Sequence, residues 1–172
     1  MIETERLLAR KLTMEDVSIW LDFLQGEGSI EYLSFVEPTI ECSKWWIERQ
    51  LNRYKNDGHG LMALNYKETR ELVGQCGLLK QEVEGKTEWE IGYHIMPKHR
   101  GKGYATEAAI AFKEYAFKNN VADSLISIIH IDNIKSQKVA EKNGMKIDFL
   151  TENYELMKGI PHYIYRINKK NE

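Results

Sequence analysis

Ten residues, Pro97-Lys98-His99-Arg100-Gly101-Lys102-Gly103-Tyr104-Ala105-Thr106, constrain this chain more than any others. An apolar stretch runs into them and an alanine-rich helical pattern leaves them. The segment therefore reads as a glycine turn between a strand and a helix. Glycine lets the backbone curl so that successive N–H groups point one way. The helix N-terminus behind adds partial positive charge. Together they predict a site for phosphate or pyrophosphate. Lys98, Arg100 and Lys102 add charge to it.

Several chemistries use such a turn. A Walker A loop needs a Gly-Lys-Ser/Thr ending, which is absent. A dinucleotide fingerprint needs a third glycine where Thr106 stands, although Asp123 lies at a suitable distance for a ribose contact. The preceding strand also reads as part of an antiparallel meander, not of a βαβ unit. An acyl-CoA loop, Arg-x-x-Gly-x-Ala, is spelled by Arg100, Gly103 and Ala105. A purely structural turn is the remaining reading.

The surrounding pattern predicts a mixed α/β sheet with helices on its faces. Leu7–Lys11 reads as a strand. Thr13 and Asp16 resemble a capping box before a helix over 14–24. A second helix over 42–56 stops at Gly58. Strands follow at 60–66, 72–83 and 87–96, with a turn at Glu84-Gly85-Lys86. The helix over 104–119 buries a stripe of Ala105, Ala108, Ala109, Phe112 and Ala116. A nearly continuous apolar strand spans 124–131. A short helix over 134–143 ends at Gly144, and strands at 146–154 and 162–168 close the chain.

The 172 residues fit one domain, 1–172. The formal charge of −2 disfavours nucleic acid, whose binders carry a basic excess. No apolar run approaches the ~20 residues of a membrane span. The N-terminus shows no signal core. Cys42 and Cys76 have no metal-ligand or disulfide spacing. A reducing, cytoplasmic setting is expected, with no metal. A homodimer is the default among oligomers. Glu27, Glu31, Glu37 and Glu41 fall in a segment, 25–41, without Lys or Arg. It reads as a solvated loop or as an acidic wall for a cationic partner.

Three motifs in order resemble the GNAT superfamily of acetyl-CoA-dependent N-acetyltransferases. They are Glu90-Ile91-Gly92-Tyr93, the Arg100–Ala105 loop, and Asn133-x-x-Ser136 followed by Glu141-Lys142-Asn143-Gly144-Met145. Their flavour is similar to the RimJ/RimL-like branch, which acetylates ribosomal-protein N-termini. The resemblance implies a mostly antiparallel sheet splayed at an acyl-CoA cleft. It implies acetyl-CoA as co-substrate, held by Arg100, Gly101, Lys102, Gly103, Tyr104 and Ala105 at the loop. Backbone groups of Ile95 and Met96 and the side chain of Asn133 would hold the pantetheine arm.

Acetyl transfer to an amine needs a base, a polarised carbonyl and a proton for the leaving thiolate. Strand alternation puts Glu88, Glu90, Gly92 and His94 on one face. Glu90 is the candidate base, and the related enzymes carry a glutamate there. His94 departs from the branch, which often has tryptophan. It stands as a second base, a substrate contact or an inert polar residue. The tyrosine acid of many relatives falls at Ala140; the RimJ/RimL-like branch instead has a serine at the position of Ser136, and the resemblance implies Ser136 as the candidate acid. The expected acceptor is a primary amine, either a protein N-terminus or a small cationic amine such as an aminoglycoside. The alternative is a non-catalytic acyl-CoA-binding or sensor module.

Overall fold

The computed structural model describes residues 2–170. Their strands are β1 (Ile2–Glu3), β2 (Leu7–Lys11), β3 (Leu61–Tyr66), β4 (Leu72–Val83), β5 (Lys86–Ile95), β6 (Ser124–His130), β7 (Lys146–Thr151) and β8 (His162–Asn168). They join one 8-stranded sheet in the order β1-β2-β3-β4-β5-β6-β8-β7. Every neighbouring pair is antiparallel except β5–β6. The expected mixed, mostly antiparallel sheet is what the chain forms. β5 nevertheless belongs to two units. It closes the meander with β4 and also reaches β6 in parallel through a helix, so the expectation of no βαβ unit fails.

Four helices cover the two faces among the described residues: α1 (Val17–Leu24), α2 (Ile40–Asn56), α3 (Tyr104–Lys118) and α4 (Ile134–Lys142). α1 and α2 press Trp20, Phe23, Trp46 and Ile47 onto Leu12, Leu61 and Leu79. α3 presses Ala108, Ala109, Phe112 and Ala116 onto Leu7, Val73, Ile91 and Leu125 on the other face. α4 adds Ala140 beside Ile129, Met145 and Tyr165. Burying each large apolar side chain contributes about 1.5–3 kcal/mol, and the alternation of the strands divides those residues between the faces. On β5 this sends Ile91 towards α3, and Glu90 and His94 towards α1 and α2.

Several boundaries differ from expectation for local reasons. α2 starts at Ile40, because the Thr39 hydroxyl accepts from the Cys42 N–H at 3.2 Å and caps it. The turn Met14–Asp16 before α1 is 3-10. The Thr13 N–H donates to Asp16 Oδ2 at 2.8 Å, and Arg10 grips the same carboxylate. β7 stops at Thr151, and buried Tyr154 leads a separate 3-10 turn, Glu155–Met157. Tyr104, not Ala105, supplies the first buried position of α3. The two-residue β1 is too short to show a period. Cys42 and Cys76 are free thiols.

The β5–β6 pair shares a single ladder position, Glu90↔Ile126. Beyond it β5 continues to Ile95 along β4 alone. The sheet is therefore splayed at the C-terminal end of β5, just before the glycine turn.

Candidate active site

The splay opens a cleft of about 1180 Å³. Tyr93, Ser136 and Val139 line it from the α3–α4 side, and Phe23, Trp46 and Arg49 from the α1–α2 side. It passes through the sheet, so two molecules could meet in it from opposite faces.

The glycine turn forms one mouth. A 3-10 turn, Pro97–His99, leads into it, and Gly101 and Gly103 take φ of 76° and 83°. A side chain at either position would strain the backbone. The His99 and Arg100 N–H groups are spent on Met96 O and Pro97 O. The N–H groups from Gly101 to Thr106 have no protein partner among the described residues. A helix N-terminus with several free N–H groups beside a curled turn fits a phosphate-bearing ligand.

The basic side chains there do other work. Arg100 donates to Ile95 O at 3.2 Å, to Glu27 O at 2.7 Å and to Ser29 Oγ at 2.8 Å. It ties the loop before α2 to the end of β5, so its guanidinium is not free for a phosphate as expected. Lys98 pairs with Glu71. Tyr104 packs inward under the Arg6 guanidinium, 4.6 Å from its ring centroid, and can offer only backbone. Arg6 also holds Glu107, and donates to Lys102 O at 3.0 Å, fixing the turn from beneath. Lys102 is exposed, and its ammonium has no partner among the described residues.

Backbone parity selects the free edge of β5. The Met96 N–H donates to Val73 O at 2.9 Å, so Met96 is committed to β4 and cannot serve a ligand as expected. Antiparallel pairs alternate, and so Tyr93 and Ile95 turn their N–H groups away from β4 towards the splay. Of the two residues expected to offer backbone groups, only Ile95 has its N–H on that edge, where Tyr93 joins it.

Glu90 sits at the vertex of the splay, nearly fully buried. Its Oε2 accepts from Gln81 Nε2 at 2.7 Å, and its Oε1 from the Ile128 N–H at 3.4 Å. Burial pushes its carboxyl above the usual range, against the opposing pull of Gln81 and Arg53. A raised carboxyl suits a base working near neutral pH.

His94 lies on the same face, as the alternation predicted, but in an aromatic cage. The rings of Trp20, Phe23 and Trp46 stand edge-on at 6.3, 5.8 and 5.1 Å between centroids. Desolvation lowers its pKa from 6.5 to about 4. It is a neutral ring at pH 7 and makes no side-chain hydrogen bond among the described residues. Across the splay, Asn133 caps α4 by accepting from the Ser136 N–H at 3.1 Å. The Asn133 Nδ2 and Ser136 Oγ atoms remain without partners among the described residues. The Tyr93 hydroxyl donates to Ser136 O at 2.8 Å, spanning the two splayed elements.

Sequence reasoning missed Gln81, Tyr93, Arg49 and Arg53, and the lysines of α4. Lys135, Lys138 and Lys142 line the cleft at i, i+3 and i+7, a helical stripe visible in the spacing alone. Gln81 becomes visible only through its pairing with Glu88 and its lean towards Glu90. Of the acidic segment, Glu27 and Glu31 line the cleft while Glu37 and Glu41 do not. No group of three or more His, Cys, Asp or Glu that could hold a metal occurs among the described residues, and none of their helices is long and apolar enough to cross a membrane.

Comparison with known proteins places this geometry. The profile of the acetyltransferase (GNAT) domain matches residues 6–146. YkkB of Bacillus subtilis (strain 168) is 32% identical over 145 residues, covering 83% of both chains. The N-acetyltransferase p20 of Bacillus licheniformis is 27% identical over 172 residues, covering 97% of this chain and 95% of its own. The crystal structure of a GNAT-family acetyltransferase from Bacillus anthracis superposes with a TM-score of 0.82 at 25% identity, covering 97% of each chain.

Proposed function

Because the chain belongs to the GNAT acetyltransferase family, we propose that it transfers acetyl from acetyl-CoA directly to a primary amine, with Glu90 as the base. The observation that carries this reading is the position of Glu90. It is a buried carboxylate with a raised pKa at the vertex of the splay, where the free edge of β5 begins.

Acetyl-CoA supplies a thioester whose carbonyl carbon accepts the amine and whose sulfur leaves. The free N–H groups from Gly101 to Thr106 suit its pyrophosphate, with Lys102 and the α4 lysines supplying charge. The Tyr93 and Ile95 N–H groups and Asn133 Nδ2 suit an amide-bearing arm along the splay. One of those N–H groups could also steady the charge that develops on the carbonyl oxygen. As the C–N bond forms, Glu90 takes the amine proton, through water. As the C–S bond breaks, the unpartnered Ser136 hydroxyl can give the sulfur a proton. His94, neutral and caged, acts as a wall of the acceptor side.

The motif resemblance favours a protein N-terminus as acceptor, as in the RimJ/RimL-like branch. Glu27 and Glu31 at the outer mouth favour any small amine that arrives as ammonium. The free thiols and the absence of a basic excess suit a cytoplasmic enzyme. Ala140, in place of the tyrosine acid, favours one rival, a module that binds acyl-CoA without turnover.

Thermal-shift titration with acetyl-CoA, CoA and NAD, followed by thiol release on a panel of amines, separates these readings. Acetyl-CoA should stabilise and NAD should not. Glu90→Gln should lower kcat by ~10²–10⁴-fold near neutral pH, less at high pH where the amine is already neutral. Stabilisation without turnover on any amine supports the sensor instead.

A further inference from the structure

Two arginines on α2 face the cleft one helical turn apart, and neither forms a salt bridge among the described residues. Arg49 and Arg53 are both half-buried. Arg49 donates no hydrogen bond among the described residues. Its guanidinium merely lies over the Trp45 ring at 5.3 Å. Arg53 makes only long contacts to neutral amide oxygens, Gln50 at 3.4 Å and Gln81 at 3.5 Å. The other half-buried arginines are well matched. Arg6 pairs with Glu107, Arg166 pairs with Glu88 and Asp148, and Arg100 makes three hydrogen bonds.

The nearby carboxylates do not answer them. Asp57 pairs with Lys80 at 3.2 Å, and Glu48 with Lys44 at 3.8 Å. Glu90 spends its oxygens on Gln81 and Ile128. The inner end of the cleft thus holds two cations against one carboxylate. Partly desolvated charges without partners are costly, and a bound counter-ion removes that cost. The phosphates of CoA do not fill this role, since their cradle lies at the glycine turn on the α3–α4 side. The unmet charge belongs to the acceptor's half of the cleft.

We infer that the acceptor carries an oxyanion, a carboxylate or phosphate, close to its amine, and that Arg49 and Arg53 hold it. This rests on the acetyl-transfer reading and narrows it. A zwitterion satisfies both ends: its ammonium is drawn in past Glu27 and Glu31, and its oxyanion meets the guanidiniums beyond Glu90. An aminoglycoside would bring several ammonium groups against two uncompensated cations. The inference narrows the small cationic amine of the sequence-based expectation to one that also carries an oxyanion.

The test uses matched amines on the intact enzyme with saturating acetyl-CoA. One arm compares amino acids with their amides. The other compares an aminoalkyl phosphate with the aminoalkanol of equal length. The oxyanion-bearing member should have the higher kcat/KM, and the two arms show whether carboxylate or phosphate fits. Arg49→Gln and Arg53→Gln should each raise KM for that member by roughly 10- to 100-fold, the range for a lost charge-assisted hydrogen bond, with a smaller change in kcat. The ratio between the matched amines should shrink correspondingly. The thermal shift with CoA checks that each variant keeps its fold. Equal or better use of the neutral amines, or a best substrate among polyamines, overturns the inference and leaves acetyl transfer standing. No turnover on either arm overturns the inference, and a CoA-induced shift with no turnover on any amine, peptide N-termini included, overturns the acetyl-transfer reading as well.

Discussion

His94 offers a quantitative check on the acceptor wall. Its cage of Trp20, Phe23 and Trp46 lowers the pKa from 6.5 to about 4. In the unfolded chain the ring regains its ordinary pKa of about 6.5. Between these two values the unfolded state binds more protons than the folded one, so stability falls as the pH falls. The loss begins near the unfolded pKa and is complete below the folded one. Each pKa unit is worth about 1.36 kcal/mol, which makes the loss about 2 kcal/mol by pH 5 and about 3 kcal/mol by pH 4. His94→Phe keeps an aromatic ring against the cage and removes the proton. Urea denaturation of both proteins from about pH 7.5 to about pH 4 isolates the effect as a difference. Glu90, whose pKa is raised, contributes in the opposite sense, with stability lost as pH rises, and it cancels in that difference. The difference between the two curves should be constant above about pH 7 and change steadily below about pH 6.5. Parallel curves would refute the desolvated cage and return His94 to the list of possible bases.

Two further substitutions probe the other half of the cleft. Gly103→Val forces a β-branched residue to φ 83° and adds a side chain whose Cβ meets only Arg6 Nη2, at 3.5 Å. It should abolish the acetyl-CoA thermal shift while the circular dichroism spectrum is retained; a normal shift would remove the turn from the cofactor site. Ser136→Ala deletes a hydroxyl without a partner among the described residues, so urea stability should change by less than about 0.5 kcal/mol. Its kcat should fall ~10-fold or more at neutral pH if this hydroxyl protonates the sulfur, and an unchanged kcat assigns that proton to water.

The legible parts of this protein are those written in local periodicity. Lys86–Ile95 alternates, and that alternation alone assigns Glu90 and His94 to one face. Val17 to Leu24 and the alanines of α3 announce their stripes. Gly101 and Gly103 mark the turn because no other residue takes a positive φ as easily. Side-chain destinations are less legible, because they depend on groups far away in the chain. Arg100 looks like a phosphate ligand until Glu27 and Ser29, about seventy positions earlier, are seen to take its donors. Met96 looks available until the β4 register shows its N–H spent on Val73. Arg49 and Arg53 look like solvated helix charges, and only packing against β4 and β5 turns them inward.

The three bonds of Arg100 bridge the two halves of the cleft. Its backbone opens the glycine turn, while its side chain grips the segment that walls the acceptor's entrance. Filling the turn and shaping the entrance are thus mechanically joined through one residue. If the turn shifts on engaging a pyrophosphate, Arg100 passes that shift to Glu27 and Ser29, and one ligand then alters the affinity for the other. Linkage makes that influence mutual: whatever acetyl-CoA does to the acceptor's dissociation constant, the acceptor does to acetyl-CoA's, by the same factor.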